Sequence, residues 1–170
     1  MQTGRFSHLL VERWGMDAKR VEEAQLKRHR LFVDWLRRAL EYFARETLPV
    51  SEMVFHRGDV IWLDLGWNVG SELGGERPAI VLINSSAANK KVLVLPLTSQ
   101  TPSNVFRHHV HVGHLPGLEA DHWASVMEIR AVSKLRVLTG RATIAPGSIL
   151  DSISNTIVTS IALRQPSGAS

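Results

Sequence analysis

Beyond Pro49 the chain breaks into short apolar runs, and this spacing restricts the fold more than any other feature. The runs are "VIWLDL" (60–65), "AIVLI" (79–83), "VLVLPL" (92–97), "HVHV" (109–112) and "HWASVMEI" (122–129). They are rich in β-branched and aromatic residues, and Gly66, Asn84-Ser85, Pro102 and Pro116-Gly117 separate them. So many strands in so little chain leave no room for crossover helices. A parallel sheet is therefore excluded and a small barrel is expected.

Ahead of this region the period changes. Residues 17–45 contain no glycine or proline, and Val21, Ala24, Leu31, Trp35, Leu36, Ala39, Leu40 and Phe43 recur at helical spacing. Asp17, after Gly15, is placed to cap this helix, and Phe6, Leu9, Leu10 and Trp14 make a shorter amphipathic piece before it. At the other end, "PGSILDSISNTIVTSIAL" predicts a closing helix with Ser148 as its cap. Its Ile149, Ile153, Ile157 and Ile161 recur every fourth residue. The expected organisation is a helical extension over 1–52, a barrel domain over 53–164 and a frayed tail over 165–170. In class this is mainly β with helices (α+β).

Composition removes several functional classes. There is no cysteine, which excludes disulfides and thiolate zinc sites. Charges interrupt the apolar stretch at the start, which does not read as a secretory signal. No apolar run approaches the length needed to span a bilayer, so no membrane partner and a cytoplasmic location are expected. The formal charge of +4 is compatible with a polyanionic partner.

The chemistry is concentrated in "NVGSELGGERPAIVLIN" (68–84), a small and polar loop that passes directly into an apolar strand. Taken alone, Glu72 and Arg77 can be a surface ion pair on a turn built by Gly70, Gly74 and Gly75, worth under about 1 kcal/mol. Arg77 also carries planar, permanently charged donors suited to phosphate oxygens, and Pro78 restrains its backbone. Thr98 and Ser99 end a neighbouring run and offer hydroxyls. Trp67, at the mouth of the loop, can stack a nucleobase, and Arg57 adds charge before the first strand.

"RGDVIWLDL", "NVGSELGGERPAIVLIN" and "VLVLPLTS" in this order resemble the MazF/PemK family of toxin endoribonucleases. The likeness runs from about 57 to 163, strongly over 58–99 and weakly over 100–139. It implies an SH3-like barrel with a C-terminal helix, a homodimer and a cognate antitoxin. It also implies cofactor-free, metal-independent cleavage of single-stranded RNA. The family's recurrent catalytic pair falls on Arg77 and Thr98, and its loop glutamate on Glu72. Gly74 and Gly75 would let the RNA backbone approach, with Ser99 and Arg130 as further contacts. An acid and a base used by some members fall on Ser125 and Met127, which departs from that pattern. A same-fold toxin of the gyrase-poisoning type and a non-catalytic RNA-binding relative are the alternatives. The first is disfavoured because the tail "RQPSGAS" has no aromatic residue.

Five of the eight histidines lie in "HHVHVGHLPGLEADH". His109 and His111 alternate along one strand face, and with His122 they have metal-ligand chemistry. No carboxylate stands in register with them, so a metal site is not expected. His109 and His111 remain minor acid/base candidates.

Overall fold

The computed structural model describes residues 17–47 and 53–161. They belong to two compact units, one ending at Ala44 and the other starting at Arg45. The first is a helix, α1 (Ala18–Ala44). Asp17 caps it as expected, its carboxylate accepting the Lys19 N–H at 3.0 Å. The short amphipathic piece before Gly15 and the tail after 164 lie outside the described residues.

The second unit contains seven strands and a closing helix. The strands are β1 (Asp59–Asp64), β2 (Glu76–Val81), β3 (Lys91–Thr98), β4 (His109–His114), β5 (Asp121–Ser125), β6 (Arg130–Ser133) and β7 (Val137–Ile144), followed by α2 (Gly147–Ile161). All pair antiparallel. The hydrogen-bonded order is β4-β5-β3-β2-β1-β7, with β6 beside β3. The long strand β3 serves two partners: its end at Leu97 and Thr98 pairs with β5, and its start at Lys91 pairs with β6. This is the α+β architecture the strand spacing called for. The sheet is not closed, since its path runs open from β4 to β7.

The central strands are apolar on both faces because both faces are covered. Val60, Ile80, Leu95 and Leu97 enter one cluster with Val110, Val112, Ala124 and the α2 residue Ile153. Ile61, Leu63, Ala79, Val81, Val92 and Val94 alternate into a second cluster with Phe55 and Val132. Ile149 and Ile157 pack against the first cluster beside Ile153, whereas Ile161 is exposed.

Three sequence expectations change. The run 122–129 is not one strand: it stops at Ser125, whose hydroxyl accepts the Met127 N–H and starts a 3₁₀ turn over Val126–Glu128. Ser148 does not cap α2, because the first turn bonds back to the Pro146 carbonyl and Ser148 lies inside the helix. Strands β6 and β7 were not anticipated. β7 is mostly exposed and its apolar residues do not alternate, so it lacks the pattern that marks a half-buried strand, and its pairing with β1 shifts register repeatedly.

Candidate active site

The loop between β1 and β2 is held at its neck by its own backbone. Gly75 N–H donates to the Gly66 carbonyl at 2.7 Å, and Leu65 N–H donates to the Gly75 carbonyl at 2.9 Å. The buried Asp64 carboxylate accepts the Gly66 N–H at 2.9 Å and turns the chain out of β1. Gly74 answers the most severe steric demand. A Cβ there would lie 2.8 Å from the Gly66 carbonyl oxygen, so the space this glycine frees is filled by the loop itself, not left open for a ligand. Gly75 has φ +75°, which also favours glycine.

Arg77 opens β2 opposite Leu63 of β1. Counting two residues on from the Ala79–Pro96 pair brings Arg77 level with Thr98 on β3. The half-buried guanidinium donates from Nε to the Gly74 carbonyl at 2.8 Å and from one terminal nitrogen to the same oxygen at 2.5 Å. Its other terminal nitrogen reaches the Leu97 carbonyl at 3.4 Å, the longest and most easily released of these bonds. Burial lowers its pKa, the Glu128 carboxylate raises it and the Arg130 charge lowers it again. An arginine so placed stays charged at neutral pH.

Beside Thr98 lies a cleft of about 510 Å³. Thr98, Trp123, Ser125 and His109 line it from the sheet, Gln100 to Ser103 form one rim, and Ser71, Leu73, Met127 and Glu128 form the other. Cross-strand register explains the floor. Thr98 stands opposite Trp123, Trp123 opposite His111, and Ser125 opposite His109. All of these share one face of the sheet, while the intervening Leu97, Ala124 and Val110 point into the core.

Glu128 and Arg130 support the loop from below. Their side chains form an ion pair. Glu128 also accepts the Leu73 N–H at 3.3 Å, and Arg130 donates to the Leu73 carbonyl at 3.3 Å. Arg130 is therefore committed to holding the loop. Glu128 is a carboxylate on the cleft wall that the sequence did not single out, and its contacts commit it to Arg130 and the loop.

The other expected site residues spread out. Glu72 is exposed on the loop next to the cleft-lining Ser71 and Leu73. Ser99 is exposed just after Thr98, and Trp67 is half-buried after Gly66 at the loop neck. Arg57 points elsewhere: it donates to the Ser154 hydroxyl at 2.8 Å and tethers α2. The histidines also separate, because His109 and His111 face the outer side of the sheet while His122 is buried with its Nδ1 donating to the Ala120 carbonyl at 2.7 Å. Among the described residues, no three His, Asp or Glu side chains are grouped to hold a metal ion.

His109 accepts the Phe106 N–H at Nδ1, at 3.1 Å, which leaves the proton of the neutral ring on Nε2. Burial, then the neighbouring His108 charge, lowers its pKa. Above the ordinary imidazole range the ring is neutral folded and unfolded, and its contribution is nil. As pH falls through that range the unfolded chain binds the proton first, so stability drops. The urea midpoint should therefore fall less between about pH 7.5 and about pH 5.5 in His109→Gln than in the wild type. An equal fall in both would contradict the shift.

Gly74→Ala should displace the loop carbonyl that anchors Arg77. Misplacement of a positioning group by up to an ångström costs as much as about 10²-fold in rate. We expect kcat/KM to fall at least roughly tenfold with the fold retained by circular dichroism. Unchanged kcat/KM would mean that the loop position is irrelevant to the chemistry.

Residues 56–161 match the family model described as the PemK-like, MazF-like toxin of type II toxin–antitoxin systems. Endoribonuclease EndoA of Bacillus subtilis (strain 168) is 32% identical over 114 residues, covering 65% of this chain and 97% of that protein. Endoribonuclease toxin MazF of Escherichia coli (strain K12) is 34% identical over 98 residues, covering 57% of this chain and 86% of that protein. In fold, the crystal structure of MazF from Deinococcus radiodurans superposes with TM-score 0.53 at 21% identity, covering 66% of this chain and 100% of its own. An endoribonuclease from a mycobacterial species, in complex with its cognate antitoxin, gives TM-score 0.51 at 19% identity, covering 66% of this chain and 99% of its own.

Proposed function

Because the chain belongs to the PemK-like, MazF-like family of toxins, we infer that it is the toxin of a type II toxin–antitoxin system and an endoribonuclease that cuts single-stranded RNA. The observation that carries the mechanism is the placement of Arg77 and Thr98 at neighbouring strand ends beside a cleft lined with hydroxyls. In this reaction the 2′-hydroxyl attacks the adjacent phosphorus and the bond to the 5′-oxygen breaks. The products are a 2′,3′-cyclic phosphate and a 5′-hydroxyl. Arg77 releases its long bond to the Leu97 carbonyl and donates to the phosphate as charge builds there. Thr98, with Ser99, positions the phosphate. The exposed Glu72 takes the 2′-hydroxyl proton and later releases it to solvent, while Arg77 gives a proton to the leaving 5′-oxygen and regains one from solvent, so that it is charged again at the end of the cycle. DNA is not cut because it lacks the attacking hydroxyl.

Gly74 and Gly75 act here by shaping the loop that holds Arg77. Arg130 acts through the same loop, Trp67 adds to RNA binding at its margin, and Arg57 stays engaged with α2. A second copy of the chain and a cognate antitoxin complete the assembly, as the antitoxin complex of the mycobacterial neighbour suggests. A cytoplasmic location accords with the proposed RNA substrate; among the described residues no helix is long and apolar enough to cross a membrane.

The test is incubation of the purified chain with a long single-stranded RNA in EDTA. Discrete fragments ending in cyclic phosphate are the expected result. Intact RNA after incubation with a folded dimer would sink the nuclease reading.

A further inference from the structure

The cleft floor contains more than phosphate chemistry requires. Trp123, the side chain directly opposite Thr98, is only half-buried and sits on the outer face of the sheet, where no core demands an indole. Its ring is braced by His111, with centroids 4.6 Å apart and planes tilted by 42°. His111 in turn lies 3.9 Å from the Asp121 carboxylate. One strand position along, His109 has Nδ1 occupied by the Phe106 N–H, so the proton on its neutral ring is fixed at Nε2. The Ser125 hydroxyl oxygen already accepts the Met127 N–H, which leaves its own proton to donate. The floor therefore offers an aromatic plate flanked by hydrogen-bond donors.

Building on the nuclease reading above, we propose that Trp123 and His109 form a nucleobase-reading subsite of this cleft, beside the scissile phosphate. The indole stacks one unpaired base, and the His109 Nε2–H donates to an acceptor on that base's edge. Strand spacing near 5 Å places Thr98 and Trp123 as immediate neighbours. A phosphate held at Thr98 then leaves an attached base within reach of the plate. Stacking tolerates every base, so Trp123 supplies affinity. The donors at His109 and Ser125 supply the preference, favouring a base that presents ring nitrogen or carbonyl acceptors.

The experiment compares full-length wild type, Trp123→Ala, Trp123→Phe, His109→Leu and His109→Gln on a pool of single-stranded RNAs, sequencing the cut ends and measuring kcat and KM on one cleaved oligonucleotide. Trp123→Ala should raise KM roughly 5- to 100-fold with kcat little changed, and Trp123→Phe should restore most of the loss. His109→Leu should relax the base preference at one position next to the cut, and His109→Gln, which keeps a donor, should retain much of it. If Trp123→Ala and His109→Leu cut with wild-type KM and the same base preference, the subsite is wrong and the nuclease reading stands. If the folded wild type cuts no RNA, both fall together.

Discussion

Replacing Arg77 by alanine is expected to lower the rate of RNA cleavage by roughly 10²–10³, equivalent to about 3–4 kcal/mol of transition-state stabilisation. The magnitude rests on preorganisation. Two of the guanidinium's donors converge on the Gly74 carbonyl, so the group is held rigidly while its third nitrogen keeps only a 3.4 Å bond to Leu97. Arg77→Lys should recover little of the activity. A single ammonium cannot grip the loop carbonyl with a planar fork and meet a phosphate at the same time. The measurement is kcat/KM on a defined oligonucleotide, with the unfolding temperature recorded alongside. Wild-type cleavage by Arg77→Ala would remove Arg77 from the mechanism. Loss of cleavage together with wholesale unfolding would make it a structural residue only.

Lys134→Met should be among the most damaging single changes to stability, and it lies outside the cleft. Lys134 is fully covered from solvent. Its Nζ donates to the Met53 carbonyl at 2.6 Å and to the Ser86 carbonyl at 2.7 Å, and it stands 5.6 Å from the centroid of the Phe55 ring. Burial lowers the pKa of the amine from the usual lysine value. The residue clamps the segment entering β1 to the turn between β2 and β3. Methionine fills the volume of the stem but leaves both carbonyls without a donor, at about 1–3 kcal/mol each. Urea unfolding should show a loss of roughly 2–6 kcal/mol with an unchanged m-value. A change below about 0.5 kcal/mol would mean that water replaces the amine freely.

The strand runs and the closing helix were legible because their apolar spacing reflects burial directly. Val60, Ile80 and Leu95 alternate with Ile61, Val81 and Val94 into two clusters, which produces the unbroken apolar runs seen in the sequence. Arg77 and Thr98 were legible through their motifs. The roles of Glu128, Trp123 and Ser125 were not, because each depends on contacts distant in sequence. Glu128 reaches the Leu73 N–H across 55 residues, and Trp123 becomes a cleft residue only by pairing with Thr98. The tether from Arg57 to α2 was hidden for the same reason, since nothing local to it reveals that Ser154 will take its guanidinium.

The sequence by itself determined the α+β class, most of the strands, both helices and the family, because periodicity and motif spacing are local properties of the chain. Only the tertiary structure decided what the loop glycines are for, which histidines face the cleft and which side chains stand beside Thr98. Those depend on strand register, where a slip of one residue would send Trp123 and His109 to the opposite face.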